Sequence, residues 1–290
     1  MSALDAFKQL VNSVSLEDLI NVVGAGVLAV WLLRTSLGRT SLVHSRPRRN
    51  SMSPLVVFAP FALWIAGPLL LMMPFMDSDG SLGGEADAMV SNVAYCASGA
   101  LTIALILLLA RGHFARGLKG FGLDLRTVFR DAGAAVVRLL AVWPVVFGAI
   151  IVTAEIGRLI RGQDFAIPRH EALEMMSEFP NVWVQVLVVA TAVVIAPLLE
   201  EMLWRGLFQT MLRAYIGRPW PAIAITAVLF ASAHSHSTHW PGLFVLAVGL
   251  GYAYEKSGSL FQSIFMHAMF NGLVVGATLI ELMQAGSKPV

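Results

Sequence analysis

The sequence predicts an all-α fold, a polytopic bundle of about eight transmembrane helices. Three observations carry that prediction. Of its 290 residues, 57% are hydrophobic and only 13% are charged, against about 25% charged in an average soluble domain, and the mean hydropathy is +0.73. Apolar runs long enough to cross a bilayer recur from end to end. The charges between them segregate by sign, and a backbone in lipid has to satisfy its hydrogen bonds within each helix.

The elements follow in order. Met1 to Asp18 is amphipathic, with Leu4, Phe7, Leu10 and Val11 on one helical face; without the basic start of a cleaved signal it is expected to stay in the mature chain. Span one covers about 20–33 and is followed by Arg34, Arg39, Arg46, Arg48 and Arg49. Span two, 55–75, carries Pro60, Pro68 and Pro74 and is expected to kink. An acidic loop with Asp77, Asp79, Glu85 and Asp87 leads to span three, 88–110, and a second basic loop holds Arg111, Arg116, Lys119, Arg126 and Arg130. Span four, 132–154, contains Arg138, expected to snorkel to the interface. Glu171, Glu174 and Glu178 then recur at helical spacing, as on a surface helix. The run 182–212 is span five; span six starts at Pro219, span seven is 240–254, and span eight is 260–283.

Basic residues orient this bundle. One set of loops holds thirteen, the arginines and lysine named above plus Arg213, Arg218 and Lys256; the other holds five, Lys8, Arg158, Arg161, Arg169 and Lys288. The first set is expected inside the cell and both termini outside. Cys96 is the single cysteine, which excludes an intrachain disulfide and any cysteine-based metal cluster. Glycine-rich phosphate loops and nucleic-acid motifs are absent, so no nucleic-acid partner is expected. The partner implied by this composition is the lipid bilayer.

The chemistry concentrates in span five. From Val182 to Leu212 the charged residues are Glu200, Glu201 and Arg205, and ionisable groups at membrane depth mark functional sites. Glu201 and Arg205 stand four apart and share a helix face, while Glu200 points about 100° away. Glu201 is expected to pair with Arg205 and turn away from the rest, leaving Glu200 as a free carboxylate and candidate base. Two further spans bring polar groups to depth: Phe230 and His234 at i, i+4 in span six, and His267 and Asn271 at i, i+4 in span eight. A carboxylate, two imidazoles and a carboxamide suit hydrolysis of an acyl bond by activated water. The same groups would also serve a non-catalytic binder or transporter. His236 and His239 read as interfacial loop residues, and the His-Glu-x-x-His helix of zinc proteases is absent. No cofactor is expected; the alternative is zinc held by Glu200, His234 and His267.

At these positions the chain resembles the CAAX protease and bacteriocin-processing enzyme (CPBP) family of intramembrane endopeptidases, which includes the type II CAAX prenyl endopeptidases. The family motifs EExxxR, FxxxH and HxxxN stand here as Glu200-Glu201-Met-Leu-Trp-Arg205, Phe230-Ala-Ser-Ala-His234 and His267-Ala-Met-Phe-Asn271. The resemblance covers about residues 180–280, which divides the chain into an N-terminal membrane region, 1–180, and a catalytic core, 181–283. It implies a glutamate-dependent endopeptidase of the membrane that takes a peptide or membrane-protein substrate, with Glu200 and His234 activating water and His267 and Asn271 holding the oxyanion. Glu201, Arg205 and Phe230 would be structural support. The expected location is a bacterial cytoplasmic membrane.

Overall fold

The structure is a computed structural model that describes residues 15–76, 84–179 and 181–286. The expected amphipathic face of Leu4 to Val11, and Asp77 and Asp79 of the acidic loop, lie outside the described residues. Within them the chain is helical: α1 Leu16–Arg34, α2 Pro54–Met72, α3 Gly84–His113, the short α4 Gly117–Phe121, α5 Val128–Arg161, α6 Glu171–Glu178, α7 Val182–Ile216, α8 Pro219–Ser232, α9 Trp240–Ser257 and α10 Leu260–Gly286. Local signals set several boundaries. Ser15 and Asp18 form a capping box at α1, Pro54 occupies the first turn of α2, where its missing N–H is no loss, and Gly217 and Gly258 close helices in the left-handed conformation.

Among the described residues five helices are long and apolar enough to cross a membrane: α2 with its terminal 3-10 turn, α3, α5 with its preceding turn, α7 and α10. The protein is an integral, multi-pass membrane protein. Five is fewer than the eight expected from the sequence, and the reason is length and charge. The other three segments do fold as helices, but α8 has 14 residues, about 21 Å at 1.5 Å per residue, α1 carries Glu17, Asp18 and Arg34 at its ends, and α9 ends in Glu255 and Lys256. Arg138 is half-buried in α5, with Nη1 enclosed and without a hydrogen-bond partner among the described residues.

One apolar core joins both halves of the chain. Val57 of α2, Ile106 of α3 and Phe121 of α4 pack with Leu199, Leu203 and Leu207 of α7, Phe230 of α8 and Tyr254 of α9. Small residues let α9 come close on two sides. A β-carbon on Gly249 would stand 2.7 Å from Val142, and one on Gly251 would stand 2.6 Å from Gln209 Oε1. Side chains of α7 thereby reach the α9 backbone: Gln209 donates to Gly251 O at 3.1 Å and Arg205 to Ala247 O at 3.2 Å.

The basic loops gather at one end of the bundle. Residues 35–50 cross it as a strap, held by Lys256 on Ser41 O, Arg213 on Ser45 O and Arg48 on Tyr254 O. Arg213 is ion-paired with Glu255 at 3.0 Å, and buried Asp131 accepts from Ser259 and Gln262 at 2.6 and 2.7 Å, which ties α5 to the start of α10. The acidic segments lie at the opposite end, where Asn181 bonds Glu85 and Arg169 pairs with Glu281.

Candidate active site

The helix that carries Glu200 and Glu201 is not uniform. An α-helical turn, Ala196–Glu201, stands between two π-helical stretches, Thr191–Ile195 and Met202–Gln209, a feature common at functional sites. Pro197 gives part of the reason. It has no N–H to offer the carbonyl four or five residues back, Val193 or Ala192, so one of these oxygens needs a partner from elsewhere. Asn271 supplies it, donating its Nδ2 to Ala192 O at 2.8 Å. In the second π stretch the hydroxyl of Thr210 donates to Arg205 O at 3.2 Å.

Glu201 is fully buried and its Oε1 accepts two bonds, from Arg205 Nη1 at 2.7 Å and from His267 Nδ1 at 2.9 Å. The Arg205 pairing follows the i, i+4 expectation. The His267 contact does not, because Glu201 was expected to turn away from the histidines. Two separate helices meet on this one oxygen, and a helical wheel of α7 alone contains nothing about α10. Glu201 Oε2 and Arg205 Nε have no hydrogen-bond partner among the described residues.

Glu200 is half-buried on the neighbouring face. The charged and titratable groups near enough to act on it are His267, Glu201, Arg205 and, from α3, Tyr95. Tyr95 belongs to the half of the chain in which the sequence shows no motif.

Phe230 is the pivot of the site. It is fully buried, with the Arg205 guanidinium 4.5 Å above its ring, and ring centres of His234 at 5.0 Å, His267 at 5.8 Å and Trp204 at 6.0 Å. His234 lies just beyond the end of α8, and its Nδ1 donates to Phe230 O at 2.9 Å. That bond fixes the tautomer and leaves Nε2 as the open nitrogen. On its outer side His234 meets His170, at 6.5 Å between ring centres, and His170 stacks on His239 at 6.3 Å. His239 in turn bonds Pro168 O. His170 carries no sequence signal beyond being a polar loop residue ahead of α6.

Among the described residues no three His, Cys, Asp or Glu side chains are grouped so as to hold a metal ion. Glu200, His234 and His267, the alternative zinc ligands, are therefore not a preformed ligand set.

A family model described as type II CAAX prenyl endopeptidase Rce1-like matches residues 181–273. A domain of that family is thus present over this part of the chain, and all three motifs fall inside it. The chain is also similar to an uncharacterized 24.3 kDa protein of Escherichia coli, 28% identical over 139 residues. That match covers 46% of this chain and 64% of the relative's length. No solved structure matches the chain.

Proposed function

We propose that the protein is a glutamate-dependent intramembrane endopeptidase that hydrolyses a peptide bond of a membrane-associated or lipidated substrate. The observation that carries this reading is the division between two adjacent carboxylates inside a CAAX-endopeptidase domain. Glu201 is committed to Arg205 and His267, and Glu200 is not. Glu200 takes a proton from water, with His234 holding that water through its open Nε2. The resulting oxygen attacks the substrate carbonyl, and Glu200 returns the proton to the leaving amine.

His267 works as a carboxylate-oriented imidazole. With Nδ1–H given to Glu201, its Nε2 is held toward the site and donates to an oxyanion when the ring carries its second proton. Asn271 has one amide N–H on Ala192 O and a second for the same oxyanion. Metal-free catalysis is part of this proposal. So is the division into a membrane region, 1–180, and a catalytic core, 181–283, placed in a bacterial cytoplasmic membrane with α1, α8 and α9 at membrane depth beside the five long helices.

The test is to express the protein and its Glu200→Gln variant in cells and compare new N-termini in the membrane fraction. Cleavages that appear with the native chain and vanish with Glu200→Gln support the reading. Identical N-terminal profiles at equal protein levels favour the rival, a non-catalytic binder or transporter using the same polar groups.

A further inference from the structure

The strap end of the bundle carries a charge that no ion pair among the described residues balances. Arg39, Arg46 and Arg49 on the strap, Arg111 in the last turn of α3, Arg116 just after it, and Arg218 before α8 are all exposed. Among the described residues none of them is in an ion pair. The carboxylates at this end are already taken: Asp124 faces Lys119 at 3.4 Å, Glu255 faces Arg213, and Asp131 is buried under Ser259 and Gln262.

Large apolar side chains stand exposed among these arginines. Phe129 is 92% exposed, Leu125 79% and Leu37 73%. Leu37 is the most informative. Ser36, Leu37 and Gly38 form three consecutive left-handed residues, with φ of 49°, 57° and 84°, a conformation that a leucine adopts only under constraint. That turn holds an apolar side chain outward two residues before Arg39. A strained backbone that exposes a leucine is a reason to look for what the leucine meets.

We infer that this face binds anionic phospholipid, with the arginines on headgroup phosphates and Leu37, Leu125 and Phe129 in the apolar layer just above them. Charge alone would fit any polyanion. The apolar side chains between the charges favour a bilayer, whose hydrocarbon lies continuously beneath its phosphates. The strap's bonds to Tyr254, Lys256 and Arg213 keep the surface in one shape, so the lipid meets a preformed site. The inference does not depend on proteolysis.

The test uses the full chain in phosphatidylcholine vesicles with added phosphatidylglycerol, one or the other brominated. Trp31 and Trp220 stand at this end, both against Tyr252, and report lipid contact by quenching. The ratio of quenching constants is expected to favour phosphatidylglycerol at low salt and to fall toward one in 0.5 M salt, a condition in the range where exposed charges are screened over about 3–10 Å. Each arginine near a membrane surface is worth about fivefold. An Arg39→Gln, Arg46→Gln, Arg116→Gln variant should therefore lose at least about tenfold in selectivity, and Leu37→Ser with Phe129→Ser should weaken it at unchanged charge. A native ratio of one, or a ratio that the triple variant leaves unchanged, overturns the inference. So does equal competition by polyglutamate or by soluble glycerol phosphate at matched charge, which would assign the face to acidic polymers or to free phosphate. Should the triple variant fold poorly, Arg39→Gln alone is read at the fivefold level against the salt series.

Discussion

Replacing Glu201 by alanine removes a single oxygen on which two helices depend. Glu201 Oε1 is bonded to Arg205 Nη1 at 2.7 Å and to His267 Nδ1 at 2.9 Å, and the side chains of both glutamate and arginine are fully buried. In the variant, Arg205 keeps Ala247 O and the face of Phe230, but its charge loses its counterion. Breaking a buried pair in this way costs about 3–5 kcal/mol. At roughly 2–4 °C per kcal/mol for a chain of this order of size, the melting temperature should fall by about 6–20 °C. Glu200→Ala removes a half-buried carboxylate outside that network and should melt within about 1 kcal/mol of the native protein. A third variant separates a charge effect from a simple cavity. Glu201→Leu with Arg205→Met leaves no orphaned charge and should recover much of the loss, because apolar replacement of a whole buried pair is often neutral. The assay is thermal unfolding of purified protein in detergent, followed by tryptophan fluorescence. Equal melting temperatures for Glu200→Ala and Glu201→Ala, or a double variant no better than Glu201→Ala, would refute the reasoning.

Three further outcomes follow from the same contacts. Asn271→Ala leaves Ala192 O without its donor and should destabilise by about 1–3 kcal/mol, so an activity loss with no change in melting would contradict the structural half of its role. Gly24→Ala should cost about 1–3 kcal/mol, because its β-carbon would stand 2.2 Å from the backbone oxygen of Leu140, which cannot rotate away; native-like melting would show that α1 is not held tightly against α5. His170 gives a pH dependence. Its Nδ1 accepts from Ala172 N at the start of α6, which only an unprotonated Nδ1 can do, and burial first, then the nearby His239, pushes its pKa below the usual histidine value, with His236 acting the same way and Glu171 and Glu174 opposing. A depressed pKa means that the unfolded segment binds more protons, so the cap's contribution is full above about pH 6.5 and is lost as pH falls below it. Because His170 is only partly enclosed and keeps some contact with solvent, the loss should be at the low end for a cap, about 0.5–1 kcal/mol. Hydrogen exchange over 171–178, corrected for its intrinsic pH dependence, should rise at low pH in the native chain and stay flat in His170→Asn, which caps at every pH; the same rise in both would remove His170 as the cause.

The sequence made some of this legible and not the rest, for physical reasons. Glu201 and Arg205 were readable as a pair because i, i+4 spacing is a property of one helix, and the same rule put His267 and Asn271 on one face of α10. What lay beyond reach was which faces meet. The bond from His267 to Glu201 spans 66 residues, and nothing in either helix encodes the other's rotation. The Asn271 contact had a signal that went unused: Pro197 withholds an N–H from the carbonyls before it, so some donor had to arrive there. His170 and Tyr95 had none, since a polar loop and an apolar span show no periodicity that singles out one residue. The span count failed at α1, α8 and α9, where apolar runs are short or end in charge.

The central claim is that Glu200 activates water for attack on a peptide bond. The most direct measurement is cleavage, in water enriched with oxygen-18, of a substrate found by the N-terminal comparison, with mass spectrometry of the newly formed carboxyl end. The account predicts one heavy oxygen in that carboxylate with the native enzyme and no cleavage with Glu200→Gln, whose melting temperature is unchanged. Cleavage that persists in the folded Glu200→Gln variant, with the same label incorporated, would contradict it.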